Sequence, residues 1–491
     1  MTHLDTVEPV APLRAEWQRS EILIGGGWRP PEGGRTDRVE NPATERAIGT
    51  TAIADRADVD RAVQAASGAF RTWSMTDARY RADVLEHLLA QLEERRELLV
   101  ATTVAELGAP VRLVREDHVG LALRVLESYV AIAREYDDES RTPLGGRVLR
   151  EAAGVVGCIT PWNFPLYQIV AKVAPALVAG CTVVIKPPEQ TPLNAYLFAD
   201  AVVATELLDG VVNVLPGAGP EVGAALVEHP DVEVVSFTGS TQVGRTIGAQ
   251  AGGAIKRVCL ELGGKSASIV TADADFERAV RASVDSSFYN SGQTCSALTR
   301  LLVPAGRLAE AVDIARDQAD LQQVGDPTDP ATDIGPLVSG LQRERVERLL
   351  DRAAEYATVH RAGTRLPERG HYVRPAIVSG AAADSEIAQD EVFGPVLTVL
   401  GYDGDADAVR IANGTSYGLA AAVWSGDLTH ARALARRLRA GQVAINGASP
   451  PHDAPFGGFG KSGIGRELGS AAVDEFVELK AIQEPDQPLA D

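Results

Sequence analysis

The segment Val232–Gly244 reads VEVVSFTGSTQVG and carries an apolar run directly before a turn that contains glycine. It predicts a strand over Val232–Phe237 and a helix from Ser240. Gly239 permits a tight turn, Gly244 permits close packing of the helix on the strand, and the free N–H groups of the first helical turn would face an anion. The spacing is G-x-x-x-x-G rather than the usual G-x-G-x-x-G dinucleotide motif. The segment alone therefore fits a phosphate site or a plain strand–helix turn.

Strands and helices alternate on both sides of this segment. Upstream, apolar runs at Thr182–Lys186 and Val211–Leu215 predict strands, with helices that begin near Pro192 and Gly219. Regular alternation of this kind is typical of a parallel α/β sheet. After Lys265 the alternation resumes and predicts a second α/β domain, with helices over Asp275–Asn290, Arg307–Ala319, Leu341–Tyr356 and Leu428–Ala440 and strands over Leu301–Val303, Val396–Tyr402, Ala420–Val423 and Gln442–Ile445.

The N-terminal region has a different pattern. Residues 1–20 show no periodicity and are expected to form a flexible tail. A short hairpin is predicted from Ile22, with Gly25–Gly27 at its turn. Helical spacing of apolar residues then predicts three helices, over Asp58–Ser74, Ala82–Glu106 and Val111–Glu135.

The bulk composition excludes several functional classes. A chain of 491 residues is expected to form two or three domains, and its formal net charge of −20 argues against binding nucleic acid or an anionic membrane surface. The four cysteines form no C-x-x-C pair, which argues against a disulfide scaffold or zinc ribbon and favours a reduced, cytosolic protein. We find no signal peptide and no stretch apolar enough to span a bilayer. We therefore expect a cytoplasmic protein, and we predict no metal site.

Three side chains are candidates for chemistry from their surroundings. Cys295 lies in a small polar segment, GQTCS, whereas Cys181 and Cys259 have apolar neighbours, so Cys295 is either a reactive or an ordinary thiol. Glu261 lies between leucines and is either a paired structural carboxylate or a general base with a raised pKa. Asn163 lies between two prolines that fix its backbone, and it either donates to an oxyanion or caps a turn.

Other segments resemble nucleotide-binding loops less well. The loop Gly217–Gly219 has Val222 where a third glycine would be expected, and we interpret it as a turn. Gly-Lys-Ser occurs at 460–462 and 264–266, but the first glycine of a P-loop would fall on Pro455 and Cys259. A nucleoside triphosphatase is therefore disfavoured.

Taken together, the sequences of these segments and their order along the chain resemble those of the aldehyde dehydrogenase superfamily. The resemblance covers roughly residues 20–485, and this many ordered motifs make it very specific. NPAT at 41–44 and the helix after Asp58 also match. The motifs are PWNFP (161–165), KPPEQTP (186–192), FTGSTQVG (237–244), ELGGKS (261–266), GQTC (292–295), EVFGPV (391–396) and PFGGFGKSG (455–463).

The resemblance implies NAD(P)-dependent oxidation of an aldehyde to a carboxylic acid through a cysteine thiohemiacetal and thioester. It makes Cys295 the nucleophile, Glu261 the general base that activates water, and Asn163 the side-chain donor of the oxyanion hole. The residues it implies for cofactor binding are Thr160, Trp162, Lys186, Glu189, Gly219, Phe237, Gly239, Ser240, Gly244, Leu262, Glu391 and Phe393. The residues expected around the substrate are Phe164, Tyr167, Gln168, Ala171, Thr294 and Ser296.

The fold implied by the resemblance has two doubly wound Rossmann-like α/β domains and a small β oligomerisation arm. Residues 21–133 and 154–262 would form the NAD(P)-binding domain and 263–465 the catalytic domain. Residues 134–153 and 466–491 would supply the arm and the C-terminal strand. Such arms pair between subunits, so a homodimer or homotetramer is expected.

The resemblance leaves the cofactor, the acyl acceptor and the substrate to be distinguished. Glu189 near the ribose would repel a 2′-phosphate, which favours NAD, with NADP possible. A CoA-acylating relative would often lack the base, so the presence of Glu261 disfavours that interpretation. A catalytically silent structural or binding protein could lose the nucleophile, so the presence of Cys295 disfavours that one. Ala171 stands where many relatives carry a bulky aromatic residue, which predicts room for a medium or bulky uncharged aldehyde.

Overall fold

The computed structural model describes residues 17–483, so most of the tail predicted over 1–20 lies outside the described residues. These residues form two large sheets, of eight and seven strands, and two sheets of three strands each. The predicted α/β class is confirmed.

The strands come in chain order as follows. They are β1 Trp17–Gln18, β2 Ile22–Ile24, β3 Gly27–Arg29, β4 Arg35–Asn41, β5 Arg46–Ile53, β6 Glu139–Arg141, β7 Arg147–Ala152, β8 Val155–Ile159, β9 Thr182–Lys186, β10 Val212–Val214, β11 Val232–Thr238, β12 Arg257–Glu261, β13 Ala267–Val270, β14 Arg300–Pro304, β15 Thr358–Arg361, β16 Ala376–Ser379, β17 Val396–Tyr402, β18 Ala420–Trp424, β19 Gln442–Ile445, β20 Gly463–Ile464 and β21 Val477–Ile482.

The α-helices surround the two large sheets. They are α1 Arg56–Trp73, α2 Ala78–Glu94, α3 Arg96–Leu107, α4 Val111–Leu113, α5 Gly120–Glu135, α6 Pro165–Ala179, α7 Leu193–Val203, α8 Ala224–Glu228, α9 Thr241–Gly253, α10 Phe276–Phe288, α11 Leu308–Asp320, α12 Gly340–Ala353, α13 Glu386–Gln389, α14 Gly404–Ala412, α15 Leu428–Ala435 and α16 Gly469–Val473.

The eight-stranded sheet has the order β20-β12-β11-β8-β9-β10-β2-β3, with five parallel central strands and antiparallel pairs at both edges. The central strands are almost fully buried because helices cover both faces, as their continuous apolar runs predict. Ile159 is paired with Lys186, and Thr238 with Glu261, at the carboxyl ends of their strands. This edge of the sheet therefore gathers several of the predicted site residues.

The seven-stranded sheet has the order β15-β16-β17-β14-β13-β18-β19, in which only β15 runs antiparallel. The segment with Cys295 lies between α10 and β14. A third sheet pairs β21, β7 and β6, which come from the two segments predicted to form the arm. The boundaries between domains and the pairing of arms between subunits remain predictions.

Three predicted helices differ from the structure. The single helix predicted over Ala82–Glu106 is wrong: the backbone leaves the helical region at Arg95, with φ −98° and ψ 5°, and no glycine or proline marks the break. The helix predicted over Val111–Glu135 contains a π-helical turn at Val114–Val119. The helix from Leu428 ends at Ala435, earlier than predicted. Within residues 17–483, no helix is long and apolar enough to cross a membrane.

Candidate active site

Glu261 is the last residue of β12 and is only 2% exposed. Among the described residues, neither of its carboxylate oxygens has a hydrogen-bond partner. Gly457 makes room for this carboxylate, because a Cβ there would lie 2.5 Å from Oε1. Burial, and then the Glu467 carboxylate, raise the pKa of Glu261 well above its ordinary value. Such a carboxylate binds a proton more readily than an exposed glutamate does.

A buried ion pair lies beside Glu261 and was not predicted from the sequence. Lys172 on α6 donates to Glu467, and its Nζ also donates to Thr238 Oγ1 at 2.6 Å. Thr238 is the neighbour of Glu261 across β11 and β12. The only sequence signal was Lys172 itself, a charge inside an otherwise apolar helix; nothing in the sequence marked Glu467.

Cys295 lies in a loop that two close contacts hold in place. Gly292, at φ +74°, packs on Gly394: a Cβ there would lie 2.1 Å from the Gly394 carbonyl group. Gly264 packs under the same loop, since a Cβ there would lie 2.5 Å from the Cys295 carbonyl oxygen. Burial, and then the Glu391 carboxylate, raise the pKa of the Cys295 thiol. The resting side chain is therefore a thiol, and reaction requires that its proton be removed.

Asn163 is bound to the same loop although it lies more than a hundred residues earlier in the chain. Its Nδ2 donates to the Gln293 carbonyl at 3.0 Å, and its own carbonyl accepts from Asn290 Nδ2 at 3.0 Å. Because an amide nitrogen has two protons, one remains for a further acceptor near Cys295. The structure thus brings together the Asn163 and Cys295 segments, while Glu261 lies on the strand that leads into Gly264.

Lys186 and Glu189 form a separate cluster of polar contacts at the carboxyl end of β9. Lys186 Nζ donates to the Gly217 carbonyl at 2.9 Å and contacts Glu189 at 3.2 Å, and Glu189 accepts from the Gly219 N–H at 2.6 Å. Burial favours the neutral Glu189 carboxyl, but Lys186 and the Gly219 N–H together lower its pKa. A half-exposed, ionised carboxylate therefore lies here. Thr160, whose N–H donates to the Lys186 carbonyl at 3.1 Å, joins this cluster to the PWNFP loop.

The start of α9 can bind an anion. Ser240 caps the helix by accepting from the Val243 N–H at 3.3 Å, which leaves the first N–H groups of the helix facing outward. Gly244 lets this helix approach β12, since a Cβ there would lie 2.3 Å from Leu262. Gly239 packs on the Phe237 ring in the same way, at 2.5 Å. These contacts fit a dinucleotide pyrophosphate.

Glu391 and Phe393 lie near the loop that carries Cys295. Glu391 accepts from the Gly264 N–H at 3.1 Å, and burial raises its pKa to about 7. Phe393 has φ +60°, a strained backbone for a bulky residue, and its ring meets that of Trp162 edge-on at 5.3 Å. Strain of this kind persists where the surroundings hold it, as at ligand sites.

The predicted substrate residues fall into three pairs. Phe164 and Tyr167 meet edge-on, with ring centroids 6.2 Å apart, and the pKa of Tyr167 is raised by burial and by Glu467, Cys295 and Glu261. Gln168 and Ala171 are almost fully buried on α6. Thr294 and Ser296 flank Cys295 and are partly exposed.

Comparison with known proteins agrees with this geometry. The sequence matches the Aldehyde dehydrogenase family over residues 28–482. It is 43% identical to 3-succinoylsemialdehyde-pyridine dehydrogenase from Pseudomonas sp., covering 94% of this chain and 98% of that protein. It is 39% identical to geranial dehydrogenase from Castellaniella defragrans, with coverage of 94% and 98%.

Solved structures give the same result. A mutant of aldehyde dehydrogenase C from Pseudomonas syringae, in complex with NAD+ and octanal, matches with a TM-score of 0.92 and 42% identity over 97% of this chain and 98% of that one. The Mycobacterium tuberculosis aldehyde dehydrogenase complexed with NAD+ matches with a TM-score of 0.94 and 37% identity, over 97% of this chain and 100% of that one.

The chain therefore belongs to the aldehyde dehydrogenase family. It is an enzyme that oxidises an aldehyde with a cofactor of the NAD(P) type.

Proposed function

We propose that Cys295, Glu261 and Asn163 carry out a hydrolytic aldehyde oxidation. The observation that carries this proposal is the position of Asn163, whose amide is bound to the backbone two residues before Cys295. The unpartnered, buried Glu261 carboxylate supports it, because its raised pKa suits a general base.

The residues divide the reaction into two halves. In the first, Cys295 Sγ releases its proton to solvent and bonds to the aldehyde carbon, while Asn163 Nδ2 and the Cys295 N–H stabilise the oxyanion; removing one such donor typically costs about 10²–10³ in rate. A nicotinamide held through Glu391 would supply the hydride acceptor, so that the carbonyl on Cys295 could re-form as a thioester. In the second half, Glu261 takes a proton from water, whose oxygen attacks the thioester carbon. The carboxylic acid departs and the Cys295 thiol is restored.

We propose that the cofactor is held by four groups of this chain and that NAD is preferred. Lys186 and Glu189 would bind the adenosine ribose, the N-terminus of α9 at Ser240 would bind the pyrophosphate, and Glu391 would bind the nicotinamide ribose. The lowered pKa of Glu189 keeps it ionised, so it would repel a 2′-phosphate. kcat/KM should therefore be clearly higher with NAD than with NADP. Glu189→Gln should reduce the ratio of kcat/KM with NAD to kcat/KM with NADP. A wild-type preference for NADP would refute the proposal.

We propose a medium or bulky uncharged aldehyde as substrate. Tyr167 and Phe164 offer an aromatic wall near Cys295, and Ala171 adds little bulk on the same helix. Two relatives are named for geranial and for 3-succinoylsemialdehyde-pyridine, both larger than acetaldehyde. Selectivity for acetaldehyde or for a semialdehyde that carries a carboxylate would contradict this expectation.

The central experiment follows NADH formation over a panel of aldehydes, with and without CoA, for wild type and Cys295→Ala. Turnover without CoA that disappears in Cys295→Ala, while NAD still quenches the protein's fluorescence, would support the proposal. Glu261→Gln should keep a first burst of NADH and lose steady turnover. Turnover that requires CoA would refute the hydrolytic second half.

We also propose that the protein is a cytoplasmic homodimer or homotetramer. The sheet of β6, β7 and β21 ends in open strand edges; Leu479 on β21 is 68% exposed, and Leu144, in the turn between β6 and β7, is 99% exposed. Apolar residues beside open strand edges are typical of surfaces that another chain covers. Light scattering after size-exclusion chromatography should give a molar mass that is a multiple of the chain mass. Leu479→Lys should lower this molar mass. A monomeric wild type would refute this proposal.

A further inference from the structure

His118 is a buried histidine with no part in the proposed chemistry. It lies in the π-helical turn Val114–Val119 and is only 2% exposed. Its ring stacks on Phe164, with centroids 4.4 Å apart and planes inclined by 20°. Phe164 directly follows the proposed oxyanion donor Asn163. The histidine therefore lies behind the loop that presents this donor.

The backbone around His118 is adapted to this position. In a π-helical turn an N–H bonds to the carbonyl five residues earlier, which adds a residue to the turn and redirects the side chains. A Cβ on Gly120 would lie 2.7 Å from the Arg115 carbonyl oxygen, so a larger residue would open the turn. The glycine thus keeps His118 directed at Phe164. π-helical turns of this kind are frequent at functional sites.

Within residues 17–483, the ring nitrogens of His118 and the side-chain oxygen of Asn290 are buried polar atoms without hydrogen bonds. The Asn290 side chain lies close enough to raise the pKa of His118, although burial lowers it far more, to about 3. The imidazole is therefore neutral at working pH and has one N–H to donate. Asn290 Nδ2, in turn, donates to the Asn163 carbonyl at 3.0 Å.

We propose that His118 is a positioning residue for the oxyanion hole. In the working enzyme its neutral ring would donate to the otherwise unpartnered Asn290 Oδ1 and so fix the amide that holds the Asn163 backbone, while the face of the ring supports Phe164. The chain of contacts runs from His118 through Asn290 to Asn163. This inference rests on the proposed role of Asn163 and adds a group that touches neither substrate nor cofactor.

The test compares His118→Phe, which retains an aromatic face and loses the N–H, with Asn163→Ala and the double variant. His118→Phe should lower kcat about tenfold and leave KM for a bulky aldehyde within about twofold, since the contact matters in the transition state. In the Asn163→Ala background the same change should cost less than about twofold, because the group that it positions is gone. His118→Ala should in addition raise KM, since Phe164 loses its support.

Several results would overturn the inference. They are a kcat for His118→Phe within twofold of wild type, an equal loss of kcat in both backgrounds, or a loss confined to KM. If Asn163→Ala itself keeps full kcat, the proposed oxyanion role fails, which is a distinct outcome. Should His118→Phe not fold, Asn290→Gly breaks the same chain at a left-handed residue, with φ +53°, that glycine accepts. It should give the same tenfold loss, and an unchanged kcat would overturn the inference.

Discussion

Glu467→Gln should lower the pKa of Glu261 and extend hydrolysis to more acidic solution. Glu467 is the largest electrostatic contribution, after burial, to the raised pKa of Glu261. The substitution removes one negative charge while keeping a side chain of similar size. Glu261 acts as a base only when ionised, so a lower pKa moves the acidic limb of the rate profile to lower pH.

The size of the effect follows from the geometry. Thr238 is paired with Glu261 on the adjacent strand, and its Oγ1 lies 3.4 Å from Glu467 Oε1. With strands about 4.8 Å apart, the two carboxylates are separated by roughly 8 Å. At an effective dielectric constant of about 20, their repulsion is about 2 kcal/mol. Since about 1.4 kcal/mol corresponds to one pH unit, the midpoint should move by about 1.5 pH units.

The assay is the pH dependence of steady turnover, under conditions where a burst of NADH shows that hydrolysis limits the rate. A matched control is Lys172→Met combined with Glu467→Gln. Lys172 lowers the pKa of Glu261 and Glu467 raises it, so removing both should return the midpoint towards that of wild type. The control also avoids an unpaired buried lysine, which costs roughly 3–5 kcal/mol. A folded Glu467→Gln variant with an unmoved acidic limb would refute the reasoning.

Two further substitutions test other contacts. Gly457→Ala should suppress hydrolysis at least tenfold yet leave the NADH burst intact, because its Cβ would lie 2.5 Å from Glu261 Oε1 and the backbone has φ +145°; full steady turnover would contradict this. Glu106 accepts from the Leu193 and Asn194 N–H groups at 2.8 and 3.0 Å, and burial raises its pKa from 4.5 to about 7. Its contribution to stability is therefore complete below about pH 4.5 and is lost as the pH rises through about 7. As the pH rises from 5 to 8, the Tm of wild type should fall relative to the Tm of Glu106→Gln. A difference in Tm that does not change with pH would show that Glu106 does not titrate in this range.

Local patterns were enough to predict the elements that position the site. The runs at Thr182–Lys186 and Val396–Tyr402 coincide with strands of the structure because continuous apolar segments of this length are stable only inside a covered sheet. The break at Arg95 and the π-helical turn before Gly120 were missed, since neither disturbs the apolar spacing on which the helix predictions rested.

Some residues of the candidate site could be proposed from the sequence and others could not. Glu261, Asn163 and Cys295 could be proposed as site residues because each lies inside a short, continuous sequence motif. Their roles remain proposals, but the structure does place the Asn163 amide on the Cys295 loop. Glu467 could not be proposed, because its contact with Lys172 joins segments 295 residues apart and no local pattern reports such a pair.

This difference bears on what sequence resemblance can predict for an enzyme of this family. A motif specifies which group attacks and which group removes a proton. The pH at which the Glu261 carboxylate ionises depends on burial and on charges that the fold brings from α6 and from the segment after β20. Those charges act through space, and a change at Glu467 would leave every motif intact. Two chains with the same motifs can therefore hydrolyse their thioesters at different pH, and the contacts of Lys172 and Glu467 are where that difference should be sought.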